Sequence, residues 1–151
     1  MGPFEPVDPD YAAKVRASFA RQAFMRLIGA ELVSIDPGRC RIGVPFRPDL
    51  TQQHGYVHAG IVTTLADNAA GYAAYSLMPA DCSVLTVELK INLLAPARGD
   101  ALEGRAEVVR AGRTLTVAEV KVHARHTASE TVCAAALVTL MAMPGVADRA
   151  G

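Results

Sequence analysis

The sequence contains no tryptophan, and aromatic residues make up only 5% of it, so aliphatic side chains and alanine must form most of any core. It also lacks an excess of either charge, because 15 basic residues balance 15 acidic ones. A protein that binds nucleic acid needs a basic surface to contact the phosphates. The composition therefore argues against a nucleic-acid partner, while a hydrophobic content of 51% in 151 residues favours a folded domain over a disordered chain.

Cysteine is scarce: Cys40, Cys82 and Cys133 are widely spaced and form no C-x-x-C pair. This spacing supports neither a disulfide framework nor a zinc ribbon. The N-terminus lacks the basic and apolar regions of a signal peptide, and the longest apolar-looking stretch, residues 59–78, includes Asp67 and Asn68. We therefore expect a cytoplasmic protein that does not cross a membrane.

The pattern of apolar residues predicts an irregular N-terminal arm (1–10), a single domain (11–143) and a C-terminal tail (144–151). In the domain we predict one helix or two short ones over residues 11–28, ended by Gly29, and a long helix over residues 58–77. Alternation and turn signals predict strands at residues 30–35, 39–46, 83–94, 101–110, 114–125 and 131–143. This order predicts an α+β hotdog fold, in which a curved antiparallel β-sheet wraps around a long central α-helix.

Asp67 is the first residue that suggests chemistry, because it lies in the alanine-rich helix predicted for residues 58–77. An ionised carboxylate in such a helix is costly unless it is paired or hydrated. On a helical wheel, Asp67 shares its side with four small residues that leave room for a ligand or another chain: Thr63, Ala70, Gly71 and Ala74. The simpler interpretation is an aspartate that faces solvent or caps a neighbouring segment.

The start of the same helix is a second candidate feature. A helix that begins at His58 or Ala59 leaves free N–H groups and a partial positive charge, which stabilise a developing oxyanion. Ala59 and Gly60 are small enough for a thioester carbonyl to approach these amides. Since Asp67 follows about two turns later, one helix carries both an oxyanion hole and a carboxylate that attacks the carbonyl or activates water. The simpler alternative is that Gly60 only permits close packing.

Three segments resemble a known family. Residues 58–67, HAGIVTTLAD, resemble the H-G-G-x-x-x-x-L-A-D signature of PaaI-like hotdog thioesterases. Residues 86–97, TVELKINLLAPA, resemble the strand that follows the helix in that family, and residues 110–114, RAGRT, resemble its next hairpin. The order and spacing of the three segments cover about residues 30–143. One position departs from the signature, because its first glycine is Ala59 here.

The resemblance implies a role for each residue that matches the family pattern. Asp67 would be the catalytic nucleophile or general base, and the amide of Ala59, helped by Gly60, would donate to the oxyanion. His58 matches the signature histidine at the helix start. Gln52 would lie near the attacking water or carbonyl, and Thr86 would be a strand hydroxyl supplied by the partner subunit. The resemblance also implies a homodimer or homotetramer with sites at the subunit interface.

Basic and histidine residues allow two further interpretations. Arg113 and Lys90 are candidates for binding the phosphates of coenzyme A. The simpler interpretation of either residue is a basic side chain exposed to solvent at the tip of a hairpin. The histidine pairs at positions 54 and 58 and at positions 123 and 126 invite a metal site. No third convergent ligand is apparent, so we expect neither a metal nor another cofactor.

Together these features predict an enzyme that hydrolyses an acyl-CoA thioester, with a medium- or long-chain or aromatic acyl group, to a free carboxylic acid and CoA. Two alternatives stay open. A hotdog dehydratase on acyl-carrier substrates would need a catalytic histidine paired with an acid in a different motif, which is not found. A non-catalytic acyl-CoA-binding hotdog domain would bind the ligand without turnover. The sequence does not identify the acyl group.

Overall fold

The computed structural model describes residues 4–146 and 148, and its elements follow the predicted order. The helices are α1 (Tyr11–Arg21), α2 (Ala23–Ile28) and α3 (Ala59–Tyr75), with a short 3-10 turn at Pro48–Leu50. The strands are β1 (Glu31–Asp36), β2 (Arg39–Pro45), β3 (Cys82–Leu93), β4 (Ala101–Ala111), β5 (Leu115–Arg125) and β6 (Glu130–Pro144). Parts of the predicted arm and tail, residues 1–3, 147 and 149–151, lie outside the described residues. The division into arm, domain and tail stays a prediction.

The six strands form one sheet in the order β1-β2-β4-β5-β6-β3, and every neighbouring pair is antiparallel. The sheet wraps α3, which packs against all six strands. Helix and sheet approach closely at Gly104 of β4, where a Cβ atom would lie 2.9 Å from the carbonyl oxygen of Leu65. The absent side chain at position 104 therefore lets helix and sheet meet, and the predicted hotdog fold is confirmed.

The helix α3 is buried on most of its surface because its residues are small and apolar. Leu65, Ala66 and Ala69 have no exposed surface. Farther along, Tyr72 packs edge-on against Phe19 of α1, with ring centroids 5.8 Å apart, so the N-terminal helices cover a face of α3 that the sheet leaves open. Among the described residues, no helix is long and apolar enough to cross a membrane.

The N-terminal helical region is two helices, because the chain is extended at Gln22 (φ −71°, ψ 104°) between α1 and α2. Gly29 then ends α2 in the left-handed conformation (φ 72°), which glycine adopts without steric cost. Gln22 thus projects its side chain from a break between helices rather than from a regular helix face.

Strand β3 contains a bulge that changes which residues face the helix. The alternation of the sequence predicts that Leu85 and Leu89 share one face, with Thr86 on the other. The pairing with β6 shifts register between Thr86 and Glu88, so Val87 is the extra residue. Thr86 therefore turns toward α3, as Leu89 does beyond the bulge, while Leu85 stays 53% exposed. The predicted alternation is wrong before the bulge.

All three cysteines are buried as free thiols. Burial raises the pKa of the Cys40 thiol to about 12 and raises that of Cys133 as well. All three cysteines pack as small apolar side chains, and the thiols of Cys40 and Cys133 stay protonated.

Candidate active site

The start of α3 is fixed by a side-chain cap from His58. This residue is extended (φ −60°, ψ 138°), and its Nδ1 accepts a 2.9 Å hydrogen bond from the amide of Gly60. Its own amide donates to the carbonyl oxygen of Leu50 at 2.8 Å, which ties the loop to the helix start. Because Nδ1 is an acceptor, the imidazole proton lies on Nε2.

This cap changes which amides are available to an oxyanion. The amide of Gly60 is occupied by His58, so the expected help from Gly60 is not available in this geometry. The amide of Ala59 has no partner among residues 4–146 and 148 and lies at the exposed end of the helix. Gln52 lies near it, and its Oε1 accepts from the amide of His54 at 2.5 Å, which leaves its Nε2 as a second donor.

Ala59 and Gln52 line a cleft of about 390 Å³ at the start of α3. Its walls are mainly apolar and include Val62 of α3 and Leu93 and Leu94 at the end of β3. The amide of Ala59, the predicted oxyanion donor, thus lies beside Gln52 in a mainly apolar cleft that is open to solvent.

Asp67 lies in a different cleft, of about 460 Å³, which it shares with Thr86. Thr86 Oγ1 donates a 2.7 Å hydrogen bond to Asp67 Oδ1. The other carboxylate oxygen has no partner in the described part of the chain, so it is available to a water or a substrate. The hydroxyl comes from the same chain as Asp67, and the supply of Thr86 by a partner subunit stays a prediction.

The two clefts are separated along the helix. Asp67 follows Ala59 by eight residues, which corresponds to about 12 Å of axial rise. The carboxylate and the amide therefore do not meet around one carbonyl within a chain. The single helix does carry both groups, as expected, but it places them in different clefts.

The small residues beside Asp67 give less room than the helical wheel predicts. Ala70 and Ala74 are fully buried, so no ligand can lie against them. Gly71 does line the cleft with Asp67, and Thr63 turns its hydroxyl to the carbonyl oxygen of Ala59 at 2.9 Å.

Residues of the N-terminal helices also line this cleft, which the sequence interpretation did not include. The hydroxyl of Tyr72 on α3 accepts from Gln22 Nε2 at 2.7 Å and lies 3.2 Å from Ser18 Oγ. Tyr75 lines the same cleft one turn later. Burial raises the pKa of both phenols, that of Tyr75 to about 12, so both stay protonated. The sequence feature that could have indicated this polar lining is the presence of two tyrosines, Tyr72 and Tyr75, in an otherwise apolar helix.

The predicted coenzyme A cations lie outside both clefts. Lys90 is exposed on β3, where its Nζ donates to Asn92 Oδ1 at 3.2 Å, and Arg113 is exposed in the turn between β4 and β5. Arg98 instead lies beside a residue of the Ala59 cleft, with its guanidinium 4.3 Å from the ring centroid of Tyr56.

Histidines do not converge with other ligands in the described residues, where no group of three or more His, Cys, Asp or Glu side chains is suited to a metal ion. His123 instead lies 3.3 Å from the Glu130 carboxylate and beside Arg105. His54 contributes its backbone amide to the Gln52 loop.

The chain is similar to several known proteins. The model of the thioesterase superfamily matches residues 54–140, which include both clefts' residues on α3. A thioesterase family protein from Silicibacter pomeroyi has a crystal structure with a TM-score of 0.88 and 51% identity, and the match covers 89% of this chain and 99% of that one. A 1,4-dihydroxy-2-naphthoyl-CoA hydrolase from Listeria monocytogenes is 30% identical over 95 residues, 63% of this chain and 77% of that protein.

The fold is also shared with a more distant structure. The PaaI protein from the phenylacetic acid degradation operon of E. coli superimposes with a TM-score of 0.81 at 20% identity. That match covers 91% of this chain and 96% of the other.

Proposed function

Because the chain belongs to the thioesterase superfamily, as its resemblance to PaaI-like hotdog thioesterases predicted, we propose that it hydrolyses acyl-CoA thioesters to a carboxylic acid and CoA. The observation that carries the proposal is the placement of the two clefts at opposite ends of strand β3. The Asp67 cleft borders its beginning, at Ser83–Thr86, and the Ala59 cleft borders its end, at Leu93.

A twofold dimer through β3 would join these clefts. Among the described strands, β3 lies at an edge of the sheet with β6 as its only neighbour, and Leu85 and Val87 are half exposed along it. An exposed edge with apolar side chains favours pairing with another strand. Antiparallel pairing of β3 with its copy would bring the beginning of one strand to the end of the other. The Asp67 cleft of one chain would then adjoin the Ala59 cleft of its partner.

In the joined site, each group has a distinct task. The amide of Ala59 and Nε2 of Gln52 would hold the thioester oxygen as negative charge develops on it, aided by the positive end of α3. Asp67 of the partner chain would take a proton from water, whose oxygen then bonds to the carbonyl carbon. The C–S bond breaks, and the CoA thiolate receives the proton from Asp67. The same carboxylate could instead attack the carbon directly and form an anhydride that water then cleaves.

The named relatives support the substrate class. The protein from Listeria monocytogenes, to which this chain is 30% identical over 95 residues, is a hydrolase of an aromatic acyl-CoA. For this chain, an acyl-CoA substrate and a homodimer or dimer of dimers are part of the proposal.

The test is release of CoA thiol from a panel of aromatic, short-, medium- and long-chain acyl-CoA thioesters. We expect turnover of at least one, and a loss in kcat of about 100-fold or more for Asp67→Asn. Asp81→Asn is the matched control, because it makes the same change at an exposed carboxylate next to β3. Wild-type rates in Asp67→Asn would remove Asp67 from the mechanism. Acyl-CoA binding without any turnover would favour the non-catalytic binding domain.

A further inference from the structure

The cleft of Asp67 continues away from the carboxylate and ends among polar side chains. Besides Asp67 and Thr86, its lining includes Gly71 and Leu140 and four polar side chains of the helical region: Ser18, Gln22, Tyr72 and Tyr75. Tyr72 and Tyr75 follow Asp67 by five and eight residues, so this end lies about 7 to 12 Å farther along the helix axis. An acyl group whose carbonyl carbon is at Asp67 would place its distal atoms there.

Two polar atoms at this end have no partner among the described residues. Gln22 uses its Nε2 to reach Tyr72, which leaves Oε1 as an open acceptor. Tyr75 is only 3% exposed, and its hydroxyl, which keeps some contact with solvent, makes no hydrogen bond within the part of the chain that the structure describes. A purely apolar acyl end would exclude water from both atoms without replacing the hydrogen bonds, which is unfavourable.

The charges around the cleft argue for a neutral polar group rather than a carboxylate. Arg21 lines the cleft, but its guanidinium pairs with Asp148 at 2.5 Å. Lys14 lies over the Tyr75 ring at 4.6 Å and pairs with Asp8 at 3.3 Å. Asp67 itself adds a negative charge. Among the described residues, this cleft therefore has no unpaired cation that could bind an acidic substituent.

We propose that this cleft selects acyl groups that carry a hydroxyl at their distal end, and that Gln22 and Tyr75 are the specificity-determining residues. The proposal rests on the proposed thioesterase function. The hydroxyl would donate to Gln22 Oε1 and exchange a hydrogen bond with the Tyr75 phenol. A site built to hydrogen-bond a hydroxyl discriminates against the analogue that lacks it, because its buried polar groups are then left unpaired.

The test compares three thioesters of equal chain length: octanoyl-CoA, 8-hydroxyoctanoyl-CoA and the monothioester of octanedioic acid. We expect kcat/KM to be about tenfold higher for the hydroxylated substrate than for either of the others. Gln22→Leu and Tyr75→Phe should each remove most of that preference. Tyr11→Phe is the matched control, since it deletes a phenol hydroxyl on α1 outside the cleft, and it should keep the preference.

Two outcomes would overturn the proposal. One is equal kcat/KM for octanoyl- and 8-hydroxyoctanoyl-CoA in the wild type. The other is an equal loss for all three substrates in Gln22→Leu, which would assign the cleft to the pantetheine arm that they share.

Calorimetric binding of 8-hydroxyoctanoate against octanoate separates this inference from the proposed function. If no thioester is hydrolysed, the proposed function fails. Tighter binding of the hydroxy acid, lost in Gln22→Leu, would still support the selective cleft, and equal binding of the two acids would overturn it.

Discussion

Thr86 donates a 2.7 Å hydrogen bond to Asp67 of its own chain, and the bulge at Val87 is what turns this hydroxyl toward α3. Without the extra residue, strict alternation would leave Thr86 and Leu89 on opposite faces of β3. The hydrogen bond fixes one carboxylate oxygen and leaves the other for the reaction. A backbone irregularity in the edge strand thus orients the proposed catalytic group.

Thr86→Val tests this orientation, because valine keeps the shape of threonine and replaces only its hydroxyl by a methyl group. We expect kcat to fall by about tenfold, since a carboxylate that loses its charge-assisted hydrogen bond samples more orientations. Thr86→Ser retains the donor and should stay near the wild-type rate. Steady-state kinetics with the best acyl-CoA checks both variants, and an unchanged kcat in Thr86→Val would show that the hydroxyl does not position Asp67.

Ala59→Pro removes the proposed oxyanion donor without removing the helix. Proline is tolerated at the first position of a helix, and His58 already has the extended conformation that a residue before proline prefers. We expect a loss in kcat of about 100-fold with little change in melting temperature. Ala59→Ser keeps the amide and should retain activity. Full activity in Ala59→Pro would place the oxyanion at another donor.

Mixing the two inactive chains tests whether each site is shared. If Asp67 of one chain acts with Ala59 of the other, a dimer of one Asp67→Asn chain and one Ala59→Pro chain has one intact site. Random reassortment should then restore about one quarter of the wild-type activity. Co-refolded chains and separately refolded chains are compared at equal concentration. No recovery, despite heterodimers detected by native mass spectrometry, would contradict a site built across β3.

The order of elements could be predicted because it depends on local patterns. Pro96 and Gly99 before β4, Gly112 before β5 and the alternation of apolar residues locate strands β4, β5 and β6 within a few residues. Asp67 could be found because one charge interrupts an alanine-rich helix. The distance between Ala59 and Asp67 could also be predicted from the sequence, since eight helical residues span about 12 Å.

Other features depend on contacts that a single sequence does not display. The bulge at Val87 adds one residue to β3 without disturbing its apolar pattern, so the reversal of faces is visible only in the pairing with β6. Gln22 meets Tyr72 across fifty residues of chain. The cap on Gly60 comes from His58, and histidine is not among the residues that usually cap a helix start.

A buried carboxylate on the outer face of the sheet makes the stability of the fold depend on pH. Glu103 is 1% exposed and accepts hydrogen bonds from Arg41 at 2.6 and 2.9 Å, from Arg105 at 2.5 Å and from Arg125 at 3.1 Å. Burial raises its pKa, but the hydrogen bonds from Arg105 and Arg41 lower it more, and the pKa is lowered overall from its usual value of 4.5.

Glu103→Gln should destabilise the folded chain by about 2 kcal/mol at neutral pH, because three guanidinium groups lose a charged acceptor. Glu107→Gln is the matched control on the same strand. Its ion pair with Arg39 is exposed, with 66% and 54% of the two side chains accessible, so Glu107→Gln should change the free energy of unfolding far less than Glu103→Gln does. Urea unfolding at pH 7 measures both free energies, and equal effects would show that burial adds nothing at Glu103.

The difference between wild type and Glu103→Gln should shrink in acid. Because the pKa of Glu103 is lower in the folded chain than in the unfolded chain, its contribution is full above about 4.5, the usual value, and is lost as the pH falls through the lower folded pKa. Other carboxylates titrate in the same range, but they do so in both proteins and cancel in the difference. A difference that stays constant from pH 7 to pH 3 would mean that the charge of Glu103 does not contribute to stability.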